Sequence, residues 1–270
     1  DGDMVTLTED GYEISDFKNG NGKQERKATT IEWKSGAADL GGFPHFMLKE
    51  IFEQPQALRD TMRGRLVQDD GTVRFGGLKS FEERLRSLDA VTLVGMGTAG
   101  FTCLAGEYAI EELAGIPTKR EVASEFAFRR SAQSKQGCLI AVSQSGETAD
   151  TLNAIREAKR RGMLTLGIVN VTGSSIAREV DAGIYNHVGP ETAVASTKAS
   201  VSQVLLQMMF ALYLARMRGL SKSEGQTLIK EMQKLPTYAE KILASAGDIK
   251  RLAKKYKKTE NFFCLGRKYN

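Results

Sequence analysis

From Val91 onward, short runs of consecutive apolar residues alternate with longer stretches in which apolar positions return every three or four places. The runs at Val91–Val94, Glu121–Ala123, Cys138–Val142, Leu164–Val169 and Ile184–His187 have the length of strands. Between and after them the pattern predicts helices over about 98–113, 148–161, 197–217, 222–246 and 247–257; in the second, Leu152, Ile155 and Ala158 share one face. Strands that are apolar throughout, separated by helices, predict an α/β fold: a doubly wound parallel sheet covered on both sides. Ahead of it, Val5–Leu7 and Tyr12–Ile14 read as a hairpin across Glu9-Asp10-Gly11, and Gly20-Asn21-Gly22-Lys23 as a flexible turn. Residues 43–66 carry Phe46, Leu48, Ile51, Phe52, Leu58 and Met62 at helical spacing, with Pro55 placed to start a second helix. Asn261–Leu265 reads as the opening strand of a further unit, and the chain begins Asp1-Gly2-Asp3 without Met, so it reads as a piece of a longer protein.

Composition changes this picture little. The chain has 270 residues, 41% hydrophobic and 26% charged, as expected of a globular protein. The net charge of +5 arises from 38 basic and 33 acidic residues that interleave, which argues against a nucleic-acid partner. The basic run Lys254-Lys255-Tyr256-Lys257-Lys258 reads as a solvated helix end. Three cysteines lack metal-type spacing, and Cys103 and Cys138 sit in apolar contexts as small buried hydrophobes. No signal peptide is visible and no apolar run reads as long enough to cross a bilayer, so the expectations are a cytoplasmic location and no membrane partner.

Candidate chemistry gathers at strand ends. Gly95-Met96-Gly97-Thr98-Ala99-Gly100 follows a strand and opens a helix, matching the dinucleotide pattern GxGxxG, with Glu121 about where a ribose-binding acid would stand. Any tight strand-to-helix turn favours glycine, however, and a dinucleotide fold has no need of the hydroxyl clusters found elsewhere. Ser143-Gln144-Ser145-Gly146-Glu147-Thr148 ends the 138–142 run and precedes a helix. Unpaired amides and the positive dipole end of that helix, together with three hydroxyls, would suit a phosphate; the plainer alternative is that Ser145 caps the helix. Ala195-Ser196-Thr197-Lys198-Ala199 is a second hydroxyl cluster at a helix start, where Ser196 is as readily a cap as a ligand contact. Lys198, disfavoured there by the dipole, is expected to face an anion or a carboxylate such as Glu191. His45 and His187 have no carboxylate partner pattern and read as structural, and neither a GxSxG elbow nor a metal constellation is present.

These residues resemble a known family. Residues 143–152, SQSGETADTL, look like the phosphosugar signature of the first SIS (sugar isomerase) domain in the glutamine–fructose-6-phosphate aminotransferases, and residues 194–199, VASTKA, like its second signature. Residues 45–55, HFMLKEIFEQP, are similar to the helix that precedes that domain, and 113–117 and 123–126 fit as well. The resemblance implies that Thr98, Ser143, Gln144, Ser145, Thr148, Val194 and Ser196 surround fructose 6-phosphate or glucosamine 6-phosphate, with Ser145 and Thr148 on the phosphate and Gln144 and Ser196 at the sugar. Ala99 departs from the serine common at its position and removes one hydroxyl.

It further implies a division into 1–30, the tail of an upstream glutaminase-type domain; 31–84, a helical lead-in; 85–220, the SIS domain; 221–258, a helical connection; and 259–270, the start of a second SIS domain. The family's isomerising histidine, glutamate base and Schiff-base lysine would follow Asn270, so no catalytic residue, metal or cofactor is expected here, and binding without turnover is. A homodimer is implied for the full-length protein. The competing readings are a stand-alone sugar-phosphate sensor and an NAD-binding oxidoreductase.

Overall fold

A strand covered on both faces must be apolar at successive positions, with odd and even side chains entering different cores. The computed structural model, which describes residues 3–16, 39–130, 134 and 136–268, shows this division. Its contacts separate the chain into two units, residues 1–39 and 40–270. The first carries an antiparallel hairpin of β1 (Asp3–Thr8) and β2 (Gly11–Asp16), turning at Glu9 and Asp10 as its apolar pieces predict. The Gly20–Lys23 turn lies outside the described residues.

The second unit begins with α1 (Phe46–Phe52), α2 (Gln54–Met62), the short strands β3 (Leu66–Val67) and β4 (Thr72–Val73), and α3 (Glu82–Arg86). The predicted helix over 43–66 thus breaks at Glu53, and Pro55 stands in the first turn of α2, where its missing N–H is harmless. The sheet region follows as β5 (Ala90–Gly95), α4 (Gly97–Ala114), β6 (Thr118–Val122), α5 (Ala123–Phe126), β7 (Gly137–Ser143), α6 (Ala149–Arg160), β8 (Leu164–Val169), α7 (Ser175–Glu179) and β9 (Ala182–Tyr185). The helices α8 (Lys198–Met217), α9 (Lys222–Ala244) and α10 (Ala246–Tyr256) complete it.

The five strands β5–β9 are all parallel, in the order β6-β5-β7-β8-β9. Val91, Leu93, Cys138, Ile140, Val142, Leu166 and Ile168 enter a core shared with α4, α8 and the lead-in, while Val94, Leu139, Ala141 and Val169 enter another shared with α5, α6 and α7.

Three sequence expectations are corrected. β6 starts three residues earlier than the run at 121–123 suggests, because it is an edge strand whose Lys119 and Arg120 hide it from an apolar search. β9 ends at Tyr185 rather than at His187, whose φ of 59° is incompatible with a strand. Asn261–Leu265 forms no strand: Phe263 and Leu265 lie almost fully exposed with no sheet edge beside them.

The membrane expectation also needs adjusting. Lys198–Met217 is long and apolar enough, by length and composition, to cross a bilayer. In the fold that apolar surface is covered, with Leu205, Leu206, Met209, Phe210, Leu212 and Leu214 all in the core.

The segment from α1 to α3 is built into this unit through close backbone packing. A Cβ placed on Gly225 of α9 would fall 1.9 Å from the Gly71 carbonyl oxygen, so only glycine lets the helix seat on that turn. Replacing Gly225 with alanine is expected to destabilise the chain by about 2 kcal/mol, the overpacking outweighing the gain in helix propensity. A urea titration that finds the variant as stable as the parent would show that this contact is loose.

Candidate functional site

After β5 the chain first adds β6 on one side and then crosses to β7 on the other, so the strand order reverses between β5 and β7. The helices that follow these two strands, α4 and α6, pack on opposite faces of the sheet. The carboxyl ends therefore diverge, and a crevice opens where open α/β sheets receive ligands. A cleft of about 400 Å³ lies there, and Thr98, Ser143, Gln144, Ser145, Thr148, Val194 and Ser196 all line it. Ala99 lines it too, presenting a methyl group where a hydroxyl was noted as missing.

One wall is the loop between β7 and α6. Ser143 ends the buried strand, and its Oγ accepts from the Gly146 amide at 3.0 Å and lies 3.4 Å from Thr148 Oγ1. Ser145 Oγ accepts from the Glu147 amide at 3.2 Å. Ser145 is therefore not the helix cap: α6 begins four residues later, with Thr148 at the N-cap. The Thr148 side chain lines the cleft and makes no capping bond, so the helix start at the edge of the cleft keeps its positive dipole end without a side-chain cap.

The loop is held from behind. The Gly146 carbonyl accepts from the Ile176 amide at 2.9 Å, and Glu147 Oε1 from the Ser175 amide at 2.8 Å. The Ser175 side chain and amide hold the Glu147 carboxyl below the ordinary glutamate range. Gly146 has φ of +68°, and a Cβ there would lie 2.1 Å from Ser174 Oγ. This position needs glycine on both counts.

The opposite wall is residues 191–197. Ser196 donates its hydroxyl to Glu191 Oε2 at 2.8 Å, while Glu191 Oε1 accepts from the amides of Thr197 and Ala199 at 2.9 and 3.1 Å. Glu191 is thus the carboxylate that caps α8 and aims Ser196. The buried Lys198, which the sequence allowed to pair with Glu191, instead turns to the half-buried Glu53 at the α1–α2 junction, 2.7 Å away. Glu50 of α1, 2% exposed, accepts from the Thr192 amide at 2.6 Å and the Ala193 amide at 3.3 Å. Sequence reasoning missed Glu50 and Glu53, because charges on an amphipathic helix ordinarily mark its solvent face. Val194 and Ser196 therefore reach the cleft on a segment tied to the lead-in helices.

The dinucleotide pattern finds a plainer explanation. A Cβ on Gly95 would meet the Gly100 amide at 2.9 Å, so the glycines serve the tight turn from β5 into α4. Glu121 does not line the cleft; it is buried and paired with Lys119 at 2.5 Å, with Arg129 at 3.6 Å. His45 accepts from the Leu48 amide and caps α1. Among the described residues no group of His, Cys, Asp and Glu has the arrangement of a metal site. Cys103 and Cys138 are buried, and burial pushes the Cys103 thiol up to about 12 and the Cys138 thiol further still.

Residues 84–213 match the SIS domain family. Over 270 residues the chain is 42% identical to the isomerizing glutamine–fructose-6-phosphate aminotransferase of Chlorobaculum tepidum, covering 100% of this chain and 44% of that protein. It is likewise 42% identical over 268 residues to the enzyme of the same name from Thermus thermophilus, covering 99% and 43%. The chain thus spans less than half the length of these relatives. Among solved structures, the C-terminal domain of glucosamine-fructose-6-phosphate aminotransferase from Francisella tularensis superposes with a TM-score of 0.80 at 30% identity, covering 86% of this chain and 64% of that one. Glucosamine-6-phosphate deaminase from Thermotoga maritima superposes with a TM-score of 0.53 at 26% identity, covering 72% and 54%.

Proposed function

Residues 84–213 belong to the SIS domain family, and from that membership we propose that the chain binds a sugar phosphate in the β5–β7 cleft, as the phosphosugar-binding part of an isomerising glutamine–fructose-6-phosphate aminotransferase. The observation that carries the reading is that Ser143, Ser145 and Thr148 line one cleft at the start of α6, which has no side-chain cap. A phosphate dianion offers acceptors to such a set and needs no lysine, because the helix end supplies the positive field. Ser145 and Thr148 hold the phosphate, while Gln144, Ser196 and the 194 backbone meet the sugar, fructose 6-phosphate or glucosamine 6-phosphate. Thr98 closes the β5 side.

In this reading the chain binds without turnover. Glu191, the carboxylate in the cleft lining, already has both oxygens engaged by Ser196 and the α8 amides, which leaves it poorly placed to move a proton. Residues 1–30 are then the tail of a glutaminase-type domain, 31–84 the lead-in, 85–220 the SIS domain, 221–258 a connection and 259–270 the start of a second SIS domain. The full-length protein is a cytoplasmic homodimer.

Thermal melts with fructose 6-phosphate, glucosamine 6-phosphate and NAD provide the test. Both sugar phosphates are expected to raise the melting temperature with saturation, and NAD to leave it unchanged. Stabilisation by NAD alone would overturn the assignment.

A further inference from the structure

A second cavity, of about 490 Å³, opens at the opposite end of α8 from the cleft. Gln203 lines the cleft and Tyr213 lines this cavity, separated by about 15 Å of helix at about 1.5 Å of rise per residue. Val73, Phe75, Tyr213 and Met217 give it an apolar floor, with Phe75 and Tyr213 edge to face at 5.6 Å.

Its walls are cationic. Arg74, Lys79, Arg86 and Arg216 line it against two carboxylates, Asp70 and Glu82, an excess of two positive charges (4 − 2). Glu82 already accepts from the Tyr213 hydroxyl at 3.2 Å; burial, together with the Glu82 charge and this bond, pushes the tyrosine up to about 12. None of the four cations has a carboxylate within ion-pair distance among the described residues. Arg86 donates to the Met217 carbonyl at 3.0 Å and Arg216 to that of Leu220, while the side chains of Arg74 and Lys79 make no bond among the described residues. Arg216 Nε is buried without an acceptor.

Like charges gathered round one cavity repel, and a buried donor without an acceptor has lost its water for nothing in return. An anion with several oxygens would answer both, and guanidinium forks match phosphate geometry. We propose that this cavity is a second binding site, for a small metabolite held by a phosphate or pyrophosphate group, separate from the β5–β7 cleft. The proposal does not depend on which ligand the cleft takes.

Calorimetric titration of the chain with inorganic pyrophosphate tests it. Arg74→Ala with Lys79→Ala, both at exposed positions, is expected to weaken binding at least tenfold without changing the melting temperature. Ser145→Ala with Thr148→Val, which alters only the cleft, is expected to leave that binding intact. Parallel titrations with ADP and fructose 1,6-bisphosphate separate a nucleotide carrier of the group from a sugar carrier, the tighter binder identifying it. Absence of saturable pyrophosphate binding, or binding lost in the cleft variant and kept in the Arg74/Lys79 variant, overturns the proposal.

Discussion

A chain carrying Ser145→Ala and Thr148→Val together is expected to bind fructose 6-phosphate about a hundredfold more weakly than the parent while melting within about 3 °C of it. A hydrogen bond to a charged group contributes about 1.5–3 kcal/mol, so two lost donors remove about 3 kcal/mol, or roughly two powers of ten. The fold should tolerate both changes. Ser145 Oγ accepts only the Glu147 amide bond, in a partly open loop, and the Thr148 side chain does not cap α6. The remaining amides and Ser143 would still attract the dianion, so binding weakens rather than vanishes. Calorimetry provides the reading, and a loss smaller than threefold would move the phosphate away from this loop.

The second large effect falls on a residue outside the cleft. Glu50→Ala should lower the unfolding free energy by about 3 kcal/mol, because the amides of Thr192 and Ala193 lose a charged acceptor and the buried place of the Glu50 side chain is left empty. Glu50→Gln keeps an acceptor oxygen without the charge and should cost about half as much. Both should also weaken sugar-phosphate binding, since Val194 and Ser196 lie just beyond the freed amides. Urea unfolding of the three chains is decisive: a loss below 1 kcal/mol for Glu50→Ala would mean that the loop keeps its shape without this anchor.

How much of this was legible in the sequence depended on burial and on range. β7 and β8 stand out because a strand covered on both faces is apolar at nearly every position, as in Cys138–Val142 and Leu164–Val169. β3 and β4, two residues each, are too short to show any period, and β6 is masked by its lysine and arginine. The hydroxyl clusters at 143–148 and 195–197 are a local signal, whereas Gln144 and Val194 entered the candidate set through the resemblance alone; all seven candidates line one cleft. The supports of the second wall are not local: Lys198 pairs with a glutamate 145 residues away, whereas sequence proximity pointed to Glu191. The apolar letters of 261–265 were misleading for a related reason, since a strand requires an edge to pair with, and the sequence alone does not show whether one is near.

The tie between α1 and residues 191–198 bears on where such a domain can be cut. The segment recognisable as SIS starts at residue 84, yet Glu50 and Glu53 lie more than thirty positions upstream. An excision at the family boundary would retain the β7–α6 wall of the cleft and leave the 191–198 wall without its tether. The smallest piece that keeps the cleft intact is therefore larger than the smallest recognisable one, and a transplant of this pocket into another scaffold has to carry the preceding helix with it.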